Sequence, residues 1–95
     1  MMPTLAMYKQ AVNTAFEVVG LERKVELTLA VVEKVKEDPG FERFTLLFDG
    51  PSDVFLPQQT LPLYHADLGE LDIFVSPIGP TANGYRYEAI FHMAI

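Results

Sequence analysis

The chain has 95 residues and a net charge of −6, with seven Lys and Arg against thirteen Asp and Glu. This length suits one small domain, and a hydrophobic share of 49% indicates a globular chain rather than a disordered one. The acidic balance argues against a nucleic-acid partner, because contacts to phosphates need a basic surface. The absence of Cys excludes disulfides, thiol catalysis and cysteine metal sites.

The first twenty residues do not have the pattern of a signal peptide. Lys9 and Glu17 interrupt any apolar core there, and no basic segment precedes it. No stretch of the chain approaches the roughly 18 apolar residues that a membrane span needs. We therefore expect cytoplasmic synthesis without a cleaved leader and no membrane span, which is compatible with a later place in an exported assembly.

The chain begins with the one helix that the sequence predicts. Thr4 is placed to cap it and Asn13 to stop it, so we expect a short docking helix over 4–13. Two helical turns are too short to be stable alone, and the helix must therefore pack on the rest of the domain. From Ala15 onward, apolar residues recur at every second position, which predicts antiparallel strands over 15–95.

The alternation divides into six strands, interrupted by turn residues. A break in the alternation predicts a β-bulge near residues 31–33, and Pro and Gly predict an irregular loop over 76–84. Asp67 to Glu70 is a turn sequence that makes 60–76 a hairpin. In chain order, the predicted strands are 15–19, 25–35, 41–48, 60–65, 71–75 and 85–93.

These elements predict the fold class. None of the connections is long enough for the crossover that parallel strands require, so the sheet should be mainly antiparallel. Six short strands with one N-terminal helix suit a mainly β domain, either a small barrel or a two-sheet sandwich. We find no internal repeat or linker, and the whole of 1–95 is predicted to be one domain.

The densest polar cluster is His65, Asp67, Glu70 and Asp72, around the predicted hairpin turn. These residues could bind a divalent ion, and His65 with Asp67 could form a base and the group that orients it. Turn chemistry alone also predicts Asp, Gly and Glu at this place, and we favour that structural interpretation. The sequence therefore assigns no catalytic residue, no metal site and no cofactor.

A second candidate lies between Asp49 and Asp53, whose two carboxylates resemble part of a calcium-binding loop. The segment lacks the third oxygen ligand and the bidentate Glu of an EF-hand, so a plain loop is the better interpretation.

Apolar side chains occur on both faces of several predicted strands, which suggests that the outer face is covered by the helix, by the long loop or by another subunit. The last strand ends in His92-Met93-Ala94-Ile95, and at a sheet edge it would offer unpaired N–H and C=O groups to another chain. The candidate interaction surface comprises Leu47, Phe55, Phe74, Tyr85, Tyr87, Ile90 and Ile95.

A set of segments between about residues 15 and 91 forms a distinctive pattern. It includes Phe44-Thr45-Leu46-Leu47-Phe48-Asp49-Gly50-Pro51, Leu56-Pro57-Gln58-Gln59-Thr60, His65, Leu68-Gly69-Glu70-Leu71, Phe74, Pro77, Gly79 and Arg86-Tyr87-Glu88-Ala89-Ile90-Phe91. This pattern resembles a family of small uncharacterised bacterial domains of about a hundred residues. The resemblance implies a β-rich accessory or structural module, and some members are similar to neighbours of phage-tail-collar-type proteins. It implies no catalytic or ligand residue.

Three functional hypotheses remain open at this point. The first is a non-enzymatic structural or protein-interaction module, either an accessory part of a phage-tail-like or surface assembly or a module that assembles with itself through an apolar face or an edge strand. The alternative is a small-ligand-binding β domain with Tyr64, Tyr85 and Tyr87 around loop 76–84. An enzyme or metal site ranks third, as a small hydrolase or metal centre that would use His65 and Asp67.

Overall fold

The computed structural model describes residues 3–94, and for residues 35–37 the backbone alone. The six strands close into a barrel in the order β1-β2-β3-β6-β5-β4, with all neighbours antiparallel. The predicted class is confirmed, and the barrel replaces the sandwich. The elements are α1 (Leu5–Gln10), β1 (Ala15–Val18), β2 (Glu26–Asp38), β3 (Phe41–Pro51), β4 (Gln59–His65), β5 (Gly69–Pro80) and β6 (Gly84–Ala94). Within the described residues, no helix has the length and apolar character needed to cross a membrane.

Helix α1 starts as predicted and ends earlier. The hydroxyl of Thr4 accepts the N–H of Met7 at 3.3 Å, which confirms the predicted cap. The helix ends at Gln10, because the next residues already turn toward β1. Asn13 has a positive φ of 68°, and the N–H of Thr14 bonds to the carbonyl of Ala11 at 3.1 Å.

The helix packs against the sheet through one aromatic side chain. Tyr8 is buried, with its ring centroid 5.9 Å from that of Phe44 on β3 and 5.5 Å from that of Phe91 on β6. These contacts fix where the predicted docking helix lies. It backs the inner face of the sheet where β3 begins and β6 ends.

The β2–β3 pairing contains the predicted irregularity and a second one. The register shifts between Leu29 and Val31 and again between Lys34 and Lys36, on either side of the predicted 31–33. Each shift adds one residue to β2 opposite an unbroken β3. Bulges of this kind increase the local twist, which helps a six-stranded sheet to coil and close.

The segment 76–84 is not the irregular loop that its Pro and Gly content predicts. β5 continues through it to Pro80, and β6 starts at Gly84. Pro77 and Pro80 lie opposite Tyr87 and Tyr85, and one register shift at Ile78 separates these pairs. The connection is a tight turn, in which the N–H of Thr81 bonds to the carbonyl of Gly84 at 2.7 Å. Pro is accommodated because its missing N–H coincides with positions that do not donate across this pair.

The barrel interior is filled by side chains. The alternation predicts that Phe44, Leu46 and Phe48 of β3 and Ile73 and Val75 of β5 point inward, and all five are buried. The ring of Phe16 meets that of Phe48 edge-on at 5.2 Å. The fully buried side chains include Phe16, Leu27, Leu29, Phe44, Leu46, Phe48, Leu63, Val75 and Tyr87.

Two glycines permit β3 and β6 to approach closely at one end of the barrel. A Cβ on Gly50 would lie 2.8 Å from Leu27 Cδ2 and 3.1 Å from Tyr87 Cε2, and a Cβ on Gly84 would overlap the carbonyl oxygen of Gly50. Position 84 therefore requires Gly for steric reasons, whereas a larger residue in place of Gly50 would have to displace the side chains of Leu27 and Tyr87.

Candidate functional site

His65 is buried at the end of β4, and both of its ring nitrogens have partners. Nδ1 accepts the N–H groups of Asp67 at 3.0 Å and Leu68 at 3.2 Å. Nε2 therefore carries the proton and donates it to the hydroxyl of Thr14 at 2.7 Å. The ring also packs on Phe16, with centroids 4.5 Å apart. His65 thus fastens the β4–β5 turn to the segment that precedes β1.

The carboxylates of this predicted cluster do not converge on His65. Asp67 approaches the imidazole through its backbone N–H, while Asp67, Glu70 and Asp72 are themselves exposed. Among the side chains that the structure describes, no group of three or more His, Asp and Glu residues is arranged to hold a metal ion. The observed contacts are those of a structural turn.

The two carboxylates of the calcium-like segment point to different arginines. Asp49 accepts two hydrogen bonds from Arg86, at 2.8 and 3.0 Å. Asp53 lies 2.6 Å from Arg23, and the hydrogen bond from that guanidinium lowers the pKa of the Asp53 carboxyl. The hydrogen bonds that Arg86 donates to Asp49 raise the pKa of the Arg86 guanidinium. Since each carboxylate has its own cation, the two do not act as one ligand set.

The tyrosines predicted to surround a pocket are separated. Tyr87 is fully buried, and its hydroxyl accepts the N–H of Leu56 at 3.0 Å, so its assignment to an interaction surface was wrong. Tyr85 is half-buried and packs edge-on against Phe55 at 5.2 Å. Tyr64 lines two open grooves of about 480 and 330 Å³ on the β1–β4 side, and neither contains Tyr85 or Tyr87.

Some residues of the predicted interaction surface do expose large apolar side chains. The exposed fractions are 54% for Phe55, 54% for Phe74 and 69% for Ile90. Leu47 is half-buried, and Ile95 lies outside the described residues. Ile90 is the most exposed of the large hydrophobic side chains described, which directs attention to β6.

Strand β6 has two halves with different neighbours. It pairs with β3 along its whole length, from Gly84 opposite Pro51 to Ala94 opposite Phe41. Its pairs with β5 run from Tyr85 to Glu88, and the first half of β5, Gly69 to Val75, pairs with β4 alone. Beyond Glu88, the part of the chain that the structure describes places no strand on the β5 side of β6. Residues 31–38, 41–47 and 89–94 thus form a three-stranded ribbon.

The direction of the β6 backbone groups follows from strand alternation. The carbonyl of Gly84 faces β5, since it accepts the N–H of Thr81. The register of β6 on β3 is unbroken from residue 84 to 94, so every second residue after Gly84 faces the same side. The N–H and C=O groups of Ile90, His92 and Ala94 therefore face the side that β5 has left. We call residues 90–94 of β6 the free edge.

The opposite margin of the ribbon has a different sequence. Beyond Leu29, the strand pairs of β2 are with β3. Five of the six residues 33–38 are charged, and the register shift between Lys34 and Lys36 interrupts this margin. Residues 89–94 contain no Asp, Glu, Lys or Arg and no register shift. Charges and bulges are the devices that protect an exposed strand against pairing, and the free edge has neither.

The surroundings of the free edge are partly apolar. His92 packs its ring against exposed Phe41 at 4.9 Å, on the outer face. On the inner face, Phe91 and Met93 are half-buried against the core, and Phe91 stacks on Phe44 at 5.1 Å. The sequence analysis predicted this strand and included Ile90 in the interaction surface. It did not predict which backbone groups of the strand, such as those of His92 and Ala94, have no strand beside them. The available signal was the uncharged run itself.

Comparison with known proteins identifies the family of this chain. Residues 3–91 match the sequence model of a family described as "Domain of unknown function (DUF6916)". The chain belongs to this family. The predicted resemblance to a small uncharacterised domain family is thereby confirmed, over nearly the whole length of this DUF6916 domain. No curated protein and no solved structure matches the chain.

Proposed function

We propose that this domain is a non-enzymatic protein-interaction module that accepts an extended segment at the free edge of β6. The observation that carries the proposal is the contrast within one strand. Residues Tyr85 to Glu88 pair on both sides, whereas Ile90, His92 and Ala94 direct their backbone groups away from β3 toward a side without a described strand. An added strand would satisfy these groups, as in binding by β-augmentation.

The contacts around the free edge support a rigid platform for such a strand. The ribbon is backed by Tyr8 from α1, and the stacked rings of Phe44 and Phe91 fix the inner face. A preformed edge needs little ordering when it binds, which preserves affinity. The filled barrel and the structural role of His65 direct the proposal away from an interior ligand or a reaction. The expected place of the module in a phage-tail-like or surface assembly stays a prediction.

The test is an NMR titration of the labelled protein, at low micromolar concentration, with a blocked heptapeptide of alternating Thr and Val. This peptide offers strand propensity without side-chain specificity. We expect the amide signals of Ile90, His92 and Ala94 to shift and to gain protection from hydrogen exchange. The amides of Ala89 and Phe91, which face β3, should be protected before the peptide is added.

The His92→Pro variant provides the matched control, because it removes the central N–H of the free edge and leaves the β3 side intact. The amide signals of Ile90 and Ala94 in this variant should no longer shift when the peptide is added. Shifts confined to the grooves beside Tyr64, or no shift in β6 at millimolar peptide, would show that the edge does not accept a strand.

A further inference from the structure

The free edge has a length and a register that suit pairing with itself. If two copies meet antiparallel with His92 opposite His92, then Ile90 lies opposite Ala94 and Phe91 opposite Met93. Every residue whose N–H and C=O groups point away from β3 then lies opposite another such residue, as hydrogen-bonded pairs require. A register shifted toward β5 would place Ala94 opposite Glu88, where Ser76 already lies.

The side chains agree with the same register. On the outer face, the large Ile90 would lie beside the small Ala94 of the other copy, so neither is crowded. On the inner face, half-buried Phe91 would cover half-buried Met93, and Met adapts readily to such a surface. The ribbon of each copy would continue into the other as one antiparallel sheet. This is an isologous contact, in which each copy supplies the same patch.

Charge permits the contact at this edge in spite of the net charge of −6. No charged residue lies within 89–94, so the pairing brings no acidic side chains face to face. The charged residue opposite His92 on the outer face is Arg43 of β3. In the paired ribbons the two Arg43 residues would be three strand spacings apart, about 14 Å, where physiological salt largely screens them.

We infer that the segment bound at the free edge is the β6 strand of a second copy, paired about a twofold axis at His92. The inference rests on the proposed function, since it names the partner for that same edge.

Cysteine cross-linking tests the register, because the native chain has no Cys. In a hydrogen-bonded antiparallel pair the Cα atoms are about 5.5 Å apart, within the range that a disulfide spans. His92→Cys should therefore form a disulfide-linked dimer under mild oxidation. Ile90→Cys alone should cross-link poorly, while Ile90→Cys combined with Ala94→Cys should cross-link well. Equal cross-linking of Ile90→Cys and His92→Cys would overturn the register.

Sedimentation equilibrium tests the association itself. We expect the native chain to show a monomer–dimer equilibrium, and Ile90→Lys to raise its dissociation constant by about tenfold or more. Leu21→Lys makes the same change of charge at an exposed apolar residue in the segment between β1 and β2 and should leave the constant unchanged. A native chain that stays monomeric at millimolar concentration, or equal effects of the two variants, would overturn the inference. A monomer that still binds the Thr-Val peptide at the free edge would retain the proposed function with a different partner.

Discussion

The two margins of the ribbon show how one sheet can be closed to pairing on one side and open on the other. The β2 margin has charges over 33–38 and a register shift between Lys34 and Lys36, whereas the β6 margin over 89–94 has neither. Both margins extend past the strands that close the barrel, so the difference does not follow from topology. It follows from residue choice. The sequence places protection on one margin and leaves the other suited to a partner strand.

The largest expected effect tests which backbone groups are free. Ala89→Pro removes an N–H that faces β3 and should lower the free energy of unfolding by about 3 kcal/mol. His92→Pro removes an N–H that faces the unpaired side and should cost about 1 kcal/mol or less. Urea denaturation at low micromolar concentration measures both. Equal losses would mean that the direction assigned to the β6 backbone is wrong.

A second effect separates the closed half of β6 from the open half. Gly84→Ala places a methyl group against the carbonyl of Gly50 and should destabilise the protein by about 2 to 3 kcal/mol. Ala94→Ser, at the exposed end of the same strand, should remain within about 0.5 kcal/mol of the native chain. Thermal and urea unfolding of the two variants give the comparison. If Gly84→Ala were as mild as Ala94→Ser, the two ends of β6 would not differ in packing.

The smallest effect concerns Tyr8, the residue of α1 that backs the ribbon. Burial raises the pKa of Tyr8 from 10.0 to about 12, so the folded state retains a proton that the unfolded state loses first. The resulting stability is fully present below pH 10 and is lost as the pH rises through about 12. The native chain should therefore lose about 2 kcal/mol relative to Tyr8→Phe over this range.

Urea denaturation of both proteins at several pH values measures this difference. Parallel pH profiles for the native chain and Tyr8→Phe would contradict the burial of the Tyr8 hydroxyl in the folded protein.

The local patterns of the sequence were informative where one side chain or one turn decides the structure. The Thr4 cap, the 60–76 hairpin and the inward face of Phe44, Leu46 and Phe48 are all observed. Alternation predicts such faces because successive strand side chains point to opposite sides. The segment 76–84 was mispredicted, since Pro and Gly usually end strands. Here Pro77 and Pro80 occupy positions where no N–H is needed.

The candidate residues show the same division. The sequence indicated His65 as a polar centre, and two of its partners are the nearby turn amides of Asp67 and Leu68, but only the fold brings Thr14 to its ring. Tyr87 was predicted to belong to an interaction surface and is buried in the structure, where Gly50 leaves space for its ring. Neither contact could be deduced, because each joins residues more than thirty positions apart or depends on the absence of a side chain.

The sequence by itself determined the antiparallel strands, the apolar excess at Ile90 and Phe74, and the uncharged run at the end of β6. Periodicity and charge are properties of neighbouring residues, so they can be recognised without coordinates. The tertiary structure decided that the pairing of β6 with β5 ends at Glu88. It thereby decided which backbone groups of β6 have no strand beside them. That choice depends on closure of the whole barrel, because each strand has two sides and its partners come from distant parts of the chain.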